Sequence, residues 1–380
     1  MAPHVDAPSP SDHYSNGFNA TSATRMAVPA VMRPEDFTPP LGSPVGSSFD
    51  GSLLGNSAVT HLTRPLLPGV YVPTMCFFDP ETEDVDEAMI AEHAVRLAQA
   101  GVTGLATQGS NGEAVHLTHD ERRLVTSITR RALDEAGFSD MPLVVGCGSQ
   151  STRETTLLCR EAWAAGGDYA LVLPPSYYAS LFAPASRSVV EYFTAVADAS
   201  PIPLIIYNYP GAVNGMDLSS DVILELAEHP NIAGVKLTCG NTGKLNRVAA
   251  GARKLAGDRP NPRRPEFLVL AGSADFTIQS LVAGGHGILA GLANIAPRAC
   301  VRTIELYREG KMAEAQAMQE VISQGDWTAI QGGVVGVKSG MQSLTGYGGY
   351  GRSPLPRPTP EQAKKWREGF QELYSLEKSL

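Results

Sequence analysis

Lys236 lies inside an apolar run, "NIAGVKLT", that has the composition of a buried β-strand. A lysine is rarely buried in full without a partner for its charge. Its stem can line a core while the ammonium group reaches water at the strand end, and this is the more common explanation for a single lysine. Burial also favours a neutral amine, which can attack a carbonyl carbon and form a Schiff base. Lys236 is therefore a candidate nucleophile.

Two further segments carry groups that could assist such a nucleophile. Tyr207 lies one predicted strand and helix before Lys236, so its phenol could pass a proton to or from a carbinolamine. It could equally be a core aromatic with a hydrogen-bonded hydroxyl. The turn "GSNGE" has glycines that let main-chain amides approach an anion, and Ser110 and Asn111 add side-chain donors. Glycine-rich turns are common, so this motif alone says little.

Eight short apolar runs alternate with amphipathic stretches and would have to position these groups. They start near residues 70, 104, 143, 169, 204, 233, 267 and 287. Eight such repeats over about 240 residues predict an α/β fold, the (β/α)8 TIM barrel, and continuously apolar runs are typical of its parallel strands. A doubly wound open sheet is the alternative, but no G-x-G-x-x-G motif opens a helix after the first run. In a TIM barrel, polar residues that end the strands share the active-site face.

The chain divides into three parts by composition and periodicity. Residues 1–65 are rich in Ser, Pro and Gly and are predicted to be a disordered tail. Residues 66–305 are predicted to form the catalytic barrel, with a solvated insert near 257–267, and residues 306–380 a C-terminal helical appendage. Two helical signals are local: Ile90, Ala94, Leu97 and Ala98 share one face, and "LTHDE" has the residues of a capping box.

Composition argues against several classes of function. The net charge of −9 and the lack of a long basic run make nucleic acid and anionic membranes poor partners. No apolar stretch approaches the ~20 residues that span a bilayer. Five scattered cysteines without C-x-x-C, and eight histidines without metal-ligand spacing, predict no bound metal.

The first segment mixes arginines with acidic residues, unlike a transit peptide, so we expect a cytoplasmic protein, with the mitochondrion as the alternative.

Taken together, these segments resemble the dihydrodipicolinate synthase / N-acetylneuraminate lyase family of class I aldolases, over residues 67–355. "GSNGEAVHLTHDER" is similar to the family's G-[TS]-x-G-E-x-x-x-L-[ST]-x-x-E-R signature. "PPSYYAS", "IYNYPGAVNG" and "IAGVKLTCGN" are similar to its tyrosine, Y-N-x-P and lysine segments, in the right order. The resemblance therefore implies that Lys236 is the family's catalytic lysine and not a structural one.

The resemblance also implies roles for individual residues. Lys236 would form an imine with the 2-oxo carbon of pyruvate or a related 2-oxo acid, and Tyr207 would be the general acid and base. Tyr178 would complete a proton relay and could reach across a subunit interface. Ser110 and Asn111 would bind the substrate carboxylate. The pocket would be lined by Thr238, Gly272 and Leu289. The family pattern further implies a homotetramer, built as a dimer of dimers, and no metal or organic cofactor.

The chain departs from the synthases at two places. No arginine follows Y-N-x-P, where a synthase uses one to bind the carboxylate of its aldehyde substrate. Asn111 replaces the usual threonine of the carboxylate turn. Both features favour an aldolase that cleaves 4-hydroxy-2-oxoglutarate or a 2-keto-3-deoxy sugar acid to pyruvate and an aldehyde. Dihydrodipicolinate synthesis is the second hypothesis, and a catalytically silent binding protein is the third.

Overall fold

Eight parallel strands close into a barrel in sequence order, in a computed structural model that describes residues 64–182, 187–258 and 266–380. The strands are β1 (Gly69–Pro73), β2 (Gly104–Thr107), β3 (Leu143–Gly146), β4 (Tyr169–Val172), β5 (Leu204–Asn208), β6 (Ile232–Leu237), β7 (Leu268–Ala271) and β8 (Gly287–Leu289). They coincide with the eight predicted runs, and the predicted TIM barrel is confirmed. Residues 1–63 of the predicted tail, and most of the predicted insert, lie outside the described residues.

Helices follow the strands around the outside of the barrel. They are α1 (Glu87–Gln99), α2 (His119–Glu135), α3 (Thr152–Ala164), α4 (Ala179–Phe182), α5 (Arg187–Ala199), α6 (Ser220–Ala227), α7 (Thr242–Asp258), α8 (Thr277–Val282) and α9 (Pro297–Arg308). The C-terminal helices are α10 (Met312–Thr345), α11 (Pro360–Gly369) and α12 (Gln371–Ser379). Since α9 ends at Arg308, it crosses the boundary that the sequence placed after residue 305.

Local sequence signals explain where two of these helices begin and which face they bury. Thr118 Oγ1 accepts a hydrogen bond from the Glu121 N–H, and the Glu121 side chain accepts one from the Thr118 N–H at 2.8 Å. This is the predicted capping box at the start of α2. The four apolar residues that were predicted to share one face of α1 are all buried.

The barrel interior has a core of its own, separate from the layer between strands and helices. It contains Leu66, Tyr71, Ala106, Val144, Tyr169, Leu171, Ile205, Tyr207, Ala233, Leu268, Leu270 and Leu289. At the amino ends of the strands, the Tyr169 hydroxyl accepts from the Leu66 N–H at 3.0 Å, and the Tyr71 hydroxyl bonds to Leu67. These contacts lie at the end opposite the carboxyl ends of the strands, where active sites of TIM barrels form.

Helix α10 is broken at Gly333, which has φ 55° and ψ −153°. A positive φ of this kind is accessible to glycine at little steric cost. Next to the break, a Cβ on Gly332 would lie 3.0 Å from the Trp366 ring of α11. The break divides α10 into two helical parts that meet at a kink, and both contact loops at the barrel mouth, as described below.

None of the helices within the described ranges has the length and the apolar character needed to cross a membrane.

Candidate active site

Tyr207 and Lys236 lie side by side at the carboxyl ends of β5 and β6. They are partners in the strand register, and Lys236 Nζ lies 4.2 Å from the centre of the Tyr207 ring. Each residue is only 4% exposed. The structure therefore brings together the two residues that the sequence singled out on separate strands.

Lys236 differs from the other nearly buried lysines of the barrel in its surroundings. Lys244 of α7 is equally buried, but it is ion-paired with Asp217. Lys236 has no carboxylate partner among the residues that the structure describes, and its nitrogen lies over the Tyr207 ring. The nitrogen is thus not committed to a structural ion pair, and it can form a bond to a substrate.

The turn that contains Ser110 and Asn111 follows β2 and is tightly closed. The Glu113 N–H donates to the Ser110 carbonyl at 3.2 Å. Ser110 is exposed to the cavity described below, and Asn111 is half-buried. A Cβ on Gly291 would lie 2.4 Å from Asn111 Nδ2, so a larger residue after β8 would displace this amide from its position. Both predicted carboxylate ligands lie at the barrel mouth.

The three residues that were predicted to line the pocket occupy different depths. Thr238 and Gly272 follow β6 and β7 at the mouth, and a Cβ on Gly272 would lie 1.9 Å from Thr238 Oγ1. The Thr238 hydroxyl is buried without a hydrogen-bond partner in the described part of the chain, so it is available to a ligand. Leu289 is fully buried in the barrel interior, and none of the three residues lines the wall of the cavity described below.

Tyr178 lies on the loop after β4 and is 62% exposed. Gln150 Oε1 accepts from the N–H groups of Ser176 and Tyr177, both at 2.9 Å, and Asn214 Nδ2 donates to the Ser176 carbonyl at 2.7 Å. These bonds fix the loop. Within a single chain they leave the Tyr178 side chain outside the cavity wall, so the structure does not bring it together with Tyr207.

A cavity of about 350 Å³ opens at the carboxyl end of the barrel. The segments after β2, β3, β4 and β5 form most of its wall, and Tyr207 is part of it. Cavities of this size hold small organic molecules. Lys236 is not part of this wall, but it adjoins Tyr207, which is, so its amine lies beside the cavity.

Several residues of the wall were missed by sequence reasoning. Ser149 and Gln150 follow β3, and the strand-end rule could have found them. Arg122 of α2 reaches the wall while it donates to the carbonyls of Gly146 and Ala114 at 3.2 and 2.8 Å. The wall also contains Val334 and Leu355 from the C-terminal segment, and no local signal marks these two.

Asp326, on the first part of α10, holds the loop after β7. Its Oδ2 atom accepts hydrogen bonds from the Ser273 hydroxyl at 2.6 Å and from the N–H groups of Ala274 and Asp275 at 2.7 and 3.0 Å. Burial raises the pKa of this carboxyl from its ordinary value of 3.8 to about 6. The loop that starts at Gly272 is therefore anchored by a buried acid from the C-terminal helices.

This pKa predicts how stability depends on pH. Between about pH 4 and pH 6 the folded protein keeps a proton on Asp326 that the unfolded chain releases, so stability falls as pH rises through this window. Asp326→Asn keeps an oxygen acceptor and cannot ionise. We therefore compare the free energy of unfolding of the variant with that of the unaltered protein at each pH. As the pH rises from 4 to 8, we expect this difference to shift by about 2 kcal/mol in favour of the variant. Urea unfolding at both pH values measures this change, and parallel pH profiles would contradict it.

His93 supports the loop after β8 and is not available as an acid or base. Its ring nitrogens bond to Asn294 Oδ1 and to the Tyr347 hydroxyl, both at 2.9 Å, and Asn294 Nδ2 donates to the Gly291 carbonyl at 2.8 Å. Burial lowers the pKa of His93 to about 3. Across the described ranges, no group of three or more His, Cys, Asp and Glu side chains could hold a metal ion.

Comparisons with known proteins agree with this architecture. The model of the "Dihydrodipicolinate synthetase family" matches residues 67–372. A solved structure of a dihydrodipicolinate synthase family protein from Coccidioides immitis superposes with a TM-score of 0.72 at 31% identity, covering 83% of this chain and 99% of that chain.

Two curated relatives are more similar in sequence. A protein of Emericella nidulans named "Probable 4-hydroxy-2-oxoglutarate aldolase, mitochondrial" is 56% identical over 317 residues, which are 83% of this chain and cover 98% of the relative. A protein of Aspergillus niger named "L-threo-3-deoxy-hexylosonate aldolase" is 48% identical over 331 residues, with coverage of 83% and 98%. With the barrel, the strand-end residues and these matches together, the chain belongs to the dihydrodipicolinate synthetase family.

Proposed function

We propose that the protein is a class I aldolase, a carbon–carbon lyase that cleaves a 4-hydroxy-2-oxo acid to pyruvate and an aldehyde. The observation that carries the proposal is Lys236, nearly buried, without a carboxylate partner in the described residues and 4.2 Å from the ring of Tyr207 at the barrel mouth. Relatives of 48–56% identity are named as aldolases of this kind.

In the proposed reaction the Lys236 amine attacks the C2 carbonyl carbon of the substrate. Tyr207 supplies the proton that allows the carbinolamine to lose water, which leaves a protonated imine. When the C4 hydroxyl loses its proton to Tyr207, the C3–C4 bond breaks, the aldehyde leaves and the electron pair moves into the imine to give an enamine. Protonation at C3 and hydrolysis then release pyruvate and restore the amine.

Other residues hold the substrate during these steps. Ser110 and Asn111 bind the carboxylate with side-chain and main-chain donors, which orients C2 towards the amine. Thr238 has a free buried hydroxyl for an oxygen of the aldehyde half, while Gly272 leaves space for it and Leu289 supports the site from below. The imine is the electron sink, so we propose that neither a metal nor an organic cofactor takes part. Undiminished activity in the presence of a chelator would support this.

The apolar segment after Tyr207 favours cleavage of a hydroxy-oxo acid over dihydrodipicolinate synthesis. Ala212 and Val213 are part of the cavity wall where a synthase would place its arginine. An aldehyde substrate with its own carboxylate would find no bidentate cation there. The second curated relative acts on a deoxy sugar acid by its name, so 4-hydroxy-2-oxoglutarate and 2-keto-3-deoxy sugar acids are the substrates to compare.

We also propose an oligomeric state and a cellular location for the protein. Tyr178 and Tyr177 are exposed in the single chain. We propose a homotetramer, built as a dimer of dimers as the family resemblance implies, in which Tyr178 of one subunit completes the proton relay of another. For the location, composition favours the cytoplasm, whereas the name of the Emericella nidulans relative favours the mitochondrion.

The decisive experiment offers the protein a panel of 4-hydroxy-2-oxo acids and detects pyruvate with a coupled dehydrogenase. We expect release of pyruvate from 4-hydroxy-2-oxoglutarate or a 2-keto-3-deoxy sugar acid, and a pyruvate adduct on intact protein after borohydride reduction. Condensation of pyruvate with aspartate semialdehyde, without cleavage of the panel, would restore the synthase hypothesis. If neither activity nor the adduct is detected, the result would favour the hypothesis of a catalytically silent binding protein.

A further inference from the structure

Lys338, on the second part of α10, is a fully buried lysine that lies outside the barrel strands. Its Nζ atom lies 2.6 Å from Glu113 Oε1, and both side chains are 0% exposed. Nζ also donates to the Tyr350 carbonyl at 2.9 Å and lies 4.6 Å from the centre of the Phe78 ring. The ion pair therefore joins the C-terminal helices to the loop after β2 across 225 positions of sequence.

The other oxygen of Glu113 is occupied as well. Oε2 accepts from the Arg352 N–H at 2.9 Å and lies 3.1 Å from His116 Nδ1. Glu113 reaches the cavity wall, but with both oxygens engaged it is not free to take a proton from a substrate. Its contacts instead hold its side chain in one fixed position.

The main-chain conformation of Glu113 connects its side-chain contacts to the shape of the turn after β2. It is a non-glycine residue with φ 51° and ψ 38°, in the left-handed region. Such a conformation is sterically unfavourable for a residue with a side chain and persists where surrounding contacts enforce it. Glu113 ends the turn that begins at Ser110, since its N–H donates to the Ser110 carbonyl. The side chain of Glu113 therefore determines where this turn presents Ser110 and Asn111.

We propose that Lys338 and Glu113 are positioning residues for recognition of the substrate carboxylate. Their buried ion pair holds the turn in the geometry in which its donors meet the carboxylate of a 2-oxo acid. The inference rests on the proposed function, because it assigns the turn to that carboxylate. The alternative is that the pair only stabilises the packing of the C-terminal helices.

The test compares two ketones that differ in the charge of one group. Pyruvate and pyruvamide both form an imine, but only pyruvate has a carboxylate, so the ratio of their half-saturating concentrations in borohydride trapping measures carboxylate recognition. We expect this preference for pyruvate to fall by about tenfold or more in Lys338→Met and in Glu113→Gln, since a charge-assisted contact of the turn is misplaced. A loss of stability alone would weaken both ketones equally.

A double variant and a matched control separate positioning from stability. Glu113→Gln/Lys338→Met removes both buried charges, so it avoids the unpaired charge that each single change leaves and is the variant expected to fold best. Should either single variant fail to fold, Glu113→Asp, which keeps both charges and shortens the anchor, gives a second measurement. Lys244→Met removes a lysine of equal size and similar burial that pairs with Asp217, and we expect it to leave the ratio unchanged.

The outcomes are distinct. A folded double variant that keeps the full preference for pyruvate would overturn the inference, and so would an equal fall of the ratio in Lys244→Met. Failure of the unaltered protein to trap either ketone would instead refute the proposed function. A lower ratio in the variants of Lys338 and Glu113, with the control unchanged, supports the inference.

Discussion

Lys236→Met is expected to abolish cleavage and the borohydride-trapped pyruvate adduct while the barrel stays folded. Loss of a covalent nucleophile typically lowers the turnover rate on the order of a thousand-fold or more. Methionine matches the length of the lysine stem and removes only the nitrogen. Pyruvate release in the coupled assay and intact mass after reduction give the two measurements.

The same variant should be at least as stable as the unaltered protein. Lys236 is buried against the Tyr207 ring and has no carboxylate partner in the described residues. An apolar side chain there takes a polar nitrogen out of a nearly buried position, so we expect a gain of about 1 kcal/mol. Residues kept for function often lower stability in this way. Thermal unfolding checks this expectation.

Lys244→Met is the matched control, because Lys244 is equally buried and forms an ion pair with Asp217. We expect it to lose about 1 kcal/mol of stability and to keep the adduct. The opposite pattern, in which Lys244→Met loses the adduct and Lys236→Met keeps it, would contradict the assignment of the nucleophile. A label that maps to a peptide without Lys236 would do so as well.

The barrel and the contact between Tyr207 and Lys236 could be predicted because both follow from patterns that are local in the sequence. The eight apolar runs carry the strand signal locally, and strand order in a TIM barrel follows the sequence. Tyr207 and Lys236 end consecutive runs, so their contact across β5 and β6 needed no further information. Thr238 and Gly272 directly follow β6 and β7 and are neighbours for the same reason. The sequence therefore predicted the part of the site that strand ends build.

The part built by the C-terminal helices could not be predicted in this way. Asp326 and Lys338 are charged residues in a helix, and their sequence does not distinguish them from solvated residues. They become anchors because the break at Gly333 sends the two parts of α10 to different loops, those after β7 and β2. Contacts over such sequence separations leave no periodic pattern. The position of Tyr178 depends on a neighbouring subunit in our proposal, which a single chain does not contain.

Tyr207→Phe should lower the rate of cleavage by about 100- to 1000-fold, the usual contribution of a positioned general acid and base. The change keeps the ring that contacts Lys236 and removes only the hydroxyl. Imine formation also needs proton transfer, so we expect the pyruvate adduct to form more slowly but to reach the same final mass. Rapid-quench trapping over time measures the rate and the end point separately.

Tyr169→Phe is the control for this prediction, because Tyr169 is another tyrosine of the barrel interior. Its hydroxyl lies at the opposite end, where it accepts from the Leu66 N–H and bonds to the Arg64 carbonyl. Its removal leaves a buried N–H without its partner, so we expect a loss of about 1 kcal/mol of stability and little change in rate. Equal loss of rate in both variants would mean that the barrel needs its phenols for packing. A loss confined to Tyr207→Phe places the proton transfer at the carboxyl end, beside Lys236.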